Sequence, residues 1–113
     1  MSVNRSITAT TTIPLGNASE GDVSRWIVQF TGSDTPSYSI AVNKRATTPT
    51  GVTANSYVAG YYLLDSDGSA TSGALVVTTT SKIIQIDAAG CDVQLICTKT
   101  TGTLKIDANP IRG

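Results

Sequence analysis

Apolar residues in this chain recur at every second position in short runs, and nowhere at the spacing of an amphipathic helix. From Val23 to Thr31, Trp26, Val28 and Phe30 share one face against Arg25, Gln29 and Thr31 on the other, with Ile27 the one apolar residue on the polar side. A Thr-rich stretch alternates in the same way through Val3, Arg5, Ile7, Ala9, Thr11 and Ile13. Further inward sets are Tyr38, Ile40 and Val42; Leu75, Val77 and Thr79; Lys82, Ile84 and Ile86; Val93, Leu95 and Cys97; and Leu104, Ile106 and Ala108. A period of two is the signature of strands with one face buried, and it predicts about eight of them.

Turn residues punctuate these runs. Pro14 to Asp22 and Asp65 to Gly73 read as loops, and Thr31 to Pro36 reads as the turn of a hairpin. A two-residue loop at Thr80 and Ser81 would set Val77 opposite Ile84 and Leu75 opposite Ile86, so that both apolar faces coincide. The run through Cys97 and the run from Leu104 form a closing hairpin about Gly102. Tyr57 to Leu64 is an apolar strand interrupted by Gly60, whereas Arg45 to Ser56 has neither periodicity and is long enough to suggest a functional loop. Pro110 ends the last ladder, which leaves a C-terminal tail at 109–113 and an extended N-terminal arm at 1–6. The reading is an all-β, single-domain (1–113), two-sheet antiparallel β-sandwich, immunoglobulin-like or jelly-roll, with an eight-stranded barrel as the alternative.

Composition narrows the function. At 113 residues the chain can bury a two-layer core without metals or disulfides, and its 14% charged residues fall well below the roughly 25% of ordinary domains. Much of the surface is therefore hydroxyl and amide, suited to contact with other protein. Net charge is zero and the eight basic residues are scattered apart from Lys44-Arg45, which argues against nucleic-acid binding. No run approaches the length of a membrane span, and the opening Met-Ser-Val-Asn-Arg leads into alternation in place of a continuous apolar segment, which predicts synthesis in a host cytoplasm. Cys91 and Cys97 lie about 20 Å apart on one extended strand, too far for a disulfide, so both read as reduced.

With no His in the chain, Ser-His-Asp, Cys-His and His-ligated metal arrangements are ruled out. Glu20 is the one Glu, and the Asp residues fall mostly in turns, so no enzyme activity and no cofactor are expected. Asp65-Ser66-Asp67-Gly68 resembles half of a calcium loop, but Ala74 or Leu75 stands where the closing Glu belongs, so Asp65 and Asp67 are weak metal candidates and a solvated turn is the better reading. Trp26 shares a face with Val28 and Phe30 and is expected in the core. Tyr57, Tyr61 and Tyr62 include both parities, so at least one faces outward as an interface candidate.

Tyr61 to Ser69, then Ser81-Lys-Ile-Ile-Gln-Ile-Asp-Ala-Ala-Gly, then Asp92-Val-Gln-Leu-Ile-Cys-Thr-Lys-Thr-Thr-Gly-Thr-Leu-Lys-Ile resemble elements of small β-sandwich virion proteins of tailed bacteriophages. A Trp often follows the Asp-Gly turn in that group, and Ser69-Ala70 stand here instead. The resemblance implies a head decoration, or cement, protein on the outer capsid surface of the virion. It would clamp the major capsid protein and act as a dimer or trimer. A tail, neck or fibre subunit and a non-enzymatic carbohydrate- or ligand-binding module are the alternatives. The candidate contact residues are Met1, Ser2, Val3 and Arg5 of the arm, Lys44 and Arg45 at the long loop, and Tyr57, Tyr61 and Tyr62.

Overall fold

The computed structural model describes residues 2–16, 23–64, 70–71, 73–79 and 81–112. These residues form nine strands and no helix: β1 (Val3–Ile7), β2 (Thr11–Gly16), β3 (Val23–Ala46), β4 (Val58–Ala59), β5 (Tyr62–Leu64), β6 (Ala70–Thr71), β7 (Leu75–Val77), β8 (Lys82–Asp87) and β9 (Cys91–Arg112). Every pairing is antiparallel. The centre is a long ribbon of β3 on β9, running from Val23↔Arg112 to Ala46↔Cys91. On the far flank of β9 lie β1, opposite Leu104 to Ala108, and β2, opposite Val93 to Cys97. On the far flank of β3 lie β8, opposite Arg25 to Phe30, and then β7 and β4, opposite Tyr38 to Ile40 and Asn43 to Lys44. The sheet continues from β8 through β5 to β6.

All four rows are interrupted at the same level. The first strand pair breaks between Ile7 and Thr11, β3 shifts register between Ser33 and Ser37, β9 passes through Gly102, and β7 gives way to β8 between Val77 and Lys82. At this crease Asp34, Thr35 and Pro36 bulge out of β3 against Gly102 of β9. Asp34 and Thr35 hold positive φ of 58° and 54°, a strained setting for a β-branched residue. Gly102 has φ of 81°, and a Cβ there would come within 2.7 Å of Ser33 O, Asp34 O and Pro36 Cα. The Thr101 hydroxyl donates to Thr35 O at 2.7 Å, and Lys99 Nζ donates to Thr8 O at 2.7 Å, tying the bend of β9 to both neighbours.

Side chains on one face of both halves form one cluster. Trp26, Val28, Phe30, Ile84, Ile86, Leu104, Ile106 and Ala108 from one half join Ile13, Leu15, Tyr38, Ile40, Val42, Leu75, Val77, Val93, Leu95 and Cys97 from the other. Phe30, Ile40, Leu95 and Ile106 are 0% exposed. With no helix among the described residues to cover that face, the sheet covers it by bending across the crease. Tyr38 sits at the bend, with its hydroxyl donating to Gly102 O at 2.8 Å and lying 3.2 Å from Ile7 O.

The strand faces agree with the alternation, but the connections differ. Two separate sheets are not found: one antiparallel hydrogen-bonded network links all the described strands. The expected hairpin at Thr31 to Pro36 is a bulge inside β3, and the one about Gly102 is a bend inside β9, because each arm pairs with the other long strand in place of its own continuation. Nor do β7 and β8 pair with each other. Val77 lies opposite Tyr38 and Ile84 opposite Val28. The ladder also continues through Pro110 to Arg112. The pairing of β1 stops at Ala108, so the missing proline N–H leaves no gap in a neighbouring strand. The N-terminal arm is strand from Val3 onward.

Candidate functional site

The sequence-nominated residues fall on three separate places. At the end of the ribbon, Arg45 follows the inward Val42 by three positions and turns toward β9, where its Nε donates to Asp92 Oδ2 at 3.1 Å. Its guanidinium lies 4.3 Å from the centroid of the Tyr57 ring, a cation–π contact. Asn55 Nδ2 donates to Ala46 O at 3.1 Å, and Thr47 N donates to Gly90 O at 3.0 Å, so the 47–57 loop is laid against the end of β3 and the β8–β9 turn. Asp92 is 7% exposed, and its second oxygen, Oδ1, receives no hydrogen bond from the described residues. Asp92 is the residue of this cluster that sequence reasoning missed; alternation alone made it a polar residue at a strand start. Lys44 turns elsewhere, its Nζ donating to Asp87 O at 2.7 Å.

The N-terminal candidates lie along the opposite edge. Met1 is outside the described residues. Ser2 Oγ donates to Asn109 Oδ1 at 2.8 Å, and Val3 packs partly buried against the core. Arg5 is exposed although it stands opposite Ile106, which is 0% exposed, so it is a charge on the inner face of an edge strand. Its charge is felt across the crease at Cys97, where burial pushes the thiol up to about 12 and Arg5 acts in the opposite direction. Both cysteines are free thiols.

The three tyrosines divide. Tyr61 is 63% exposed, Tyr57 is half-buried under Arg45, and Tyr62 is 2% exposed within the core. Tyr62 is therefore no contact residue, and burial raises its phenol above the usual value. Trp26 is in the core as its face predicts, at 3% exposed. Asp65 and Asp67 lie outside the described residues, and no group of three His, Cys, Asp or Glu side chains that could hold a metal ion occurs among those described. A shallow hollow of about 320 Å³ opens on the outer face of β3 and β8, lined by Ser24, Arg25, Leu63, Gln85, Asp87 and Ile111.

The geometry defines an all-β scaffold in which one antiparallel sheet bends over its own core, with polar clusters that fasten loops to strands. The same fold is found in the crystal structure of the SPBc2 prophage-derived protein YomS, with a TM-score of 0.61 at 17% identity, over 96% of this chain and 92% of that one. No family model and no curated protein matches the chain.

Proposed function

We propose that the protein is a structural subunit of a bacteriophage particle, seated on the outer surface of the head as a decoration protein that reinforces the major capsid lattice. The observation that carries this reading is the fold shared with a prophage-derived protein over nearly the whole of both chains. The sequence supports a role in which the surface, and no reactive group, is what matters: the chain has no His, one Glu and zero net charge. A neutral, hydroxyl-rich exterior suits docking on a repeated lattice, where many weak contacts add.

The test is co-sedimentation of purified protein with expanded empty heads from the phage whose genome carries the gene. Binding to heads, with a rise in their resistance to heat, is the expected result. Binding confined to tails or host cells would replace the head assignment with a tail or fibre role. Failure to bind any part of the particle, together with retention on a glycan array, would overturn the phage reading.

A further inference from the structure

Arg45 and Asp92 stand opposite each other on β3 and β9, on the face away from the core. Tyr38, Ile40 and Val42 set the inward parity of one strand and Val93, Leu95 and Cys97 that of the other, so positions 45 and 92 fall on the outer face. Asp92 is buried there all the same, at 7% exposed, and it is the one buried polar or charged residue among those described. Arg45 meets it with a single bond, Nε donating to Oδ2 at 3.1 Å, and Oδ1 is buried without a partner. An arginine beside a carboxylate commonly closes a two-bond fork that serves both oxygens. A buried oxygen without a donor is costly, so the half-made fork calls for a reason.

That reason lies on the loop side of the guanidinium. Its carbon is 4.3 Å from the centroid of the Tyr57 ring, and Nη1 donates to Asn55 O across a long 3.5 Å. Arg45 is thus shared between β9 and the loop that follows its own strand. The loop has little else to hold it. Residues 49–56 are exposed one after another, and none of 47–57 contributes to the core cluster. Its other ties are polar: Thr47 N donates to Gly90 O at 3.0 Å, and Asn55 Nδ2 to Ala46 O at 3.1 Å. The bond from Val52 N to Pro49 O is internal to the loop. Attachment to the sheet resumes at β4, opposite Asn43 and Lys44, and at Gly60, whose N–H donates to Val42 O at 2.8 Å.

We infer that Arg45 is a two-position latch, and that 47–57 is a strap which lifts from the end of the ribbon while the sheet stays folded. With the strap down, the guanidinium faces Tyr57 and Asn55 O, and Asp92 keeps one oxygen bare. With the strap up, a turn of the guanidinium about its terminal torsion closes the fork, Nε on Oδ2 and an Nη on Oδ1. Lifting forfeits a cation–π contact and a few polar contacts. It restores a second charge-assisted bond to a carboxylate oxygen that lacked one, and it frees an uncharged segment from its ordering. Gains and losses of similar size place the two arrangements close in free energy, as a switchable element requires. The inference does not depend on the particle reading.

The experiment is native-state hydrogen exchange of the full chain, read residue by residue by NMR at low denaturant. The Thr47 amide is expected to exchange through a local opening that hardly responds to denaturant, whereas amides in the middle of the β3–β9 ladder exchange with global unfolding. Tyr57→Leu removes the ring face and is expected to raise the Thr47 rate roughly fivefold. Asp92→Asn is expected to act in the opposite direction and slow it roughly threefold, because an amide cannot accept both bonds of the fork. A merely structural tie would be weakened by both changes, so faster Thr47 exchange in Asp92→Asn overturns the latch. A Thr47 rate unmoved by Tyr57→Leu overturns it too. So does a Thr47 amide that exchanges only when the whole sheet unfolds, a result read from the unaltered protein whether or not either variant folds. A strap that opens as described in a protein that ignores phage heads would sink the proposed function and leave the latch standing.

Discussion

Tyr38 does at one residue what the crease needs from several. Its ring is buried and its hydroxyl meets Gly102 O from β9 and Ile7 O from β1, so it fixes the relation of three rows at the bend. Tyr38→Phe keeps the ring and strips the donor from buried carbonyls; a loss of about 1–2 kcal/mol is expected in urea unfolding. Cys97 is the residue to watch at alkaline pH. Its thiol ionises at about 12 in the folded chain against an ordinary 9.0, because burial disfavours the thiolate. Folding therefore gains from this group fully below pH 9, and the gain is lost as pH rises toward 12. Tyr38 and Tyr62, both raised from 10.0 chiefly by burial, act in the same direction. Cys97→Val should flatten part of the decline in melting temperature from pH 9 upward and leave the tyrosine share.

At the scale of strands, the sequence was legible in its faces and misleading in its connections. The inward positions from Trp26 to Phe30, Tyr38 to Val42 and Val93 to Cys97 are buried as the alternation says. Alternation reports which face a side chain takes and says nothing about which strand lies beside it. Asp34, Pro36 and Gly102 are residues that serve a reversal and a bulge equally well, so two bends within long strands read as two hairpins. What distinguishes the bulge is contact between residues far apart in sequence, such as Gly102 with Asp34 and Pro36. Gly102→Ala tests it directly. The added methyl meets three backbone atoms at 2.7 Å in a positive-φ setting, and a cost of at least about 2 kcal/mol is expected by thermal denaturation.

For the molecule as a whole, composition pointed toward a protein that works by contact, and the arrangement of the strands decides which of the candidate residues lie on its edges. Arg5 was legible as an N-terminal candidate, but its place on the inner face appears only once β1 is set against Ile106. The loop-base cluster was half legible: Lys44, Arg45 and Tyr57 stood out as cation and aromatic, whereas Asp92 is separated from Arg45 by 47 positions. That β4 and β7 both line up on the side of β3 away from β9 was not legible either, because nothing in the alternation says which strand lies beside which.

The central ribbon joins β3 to β9, and among the described residues β1 and β2 pair with β9 alone. β1 and β2 therefore have their pairing partner only once Cys91–Arg112 is available, and the contact of Ser2 with Asn109 closes a span of 107 positions. A sheet built on pairings this distant in sequence is expected to fold slowly for its size, a rate that stopped-flow refolding measures.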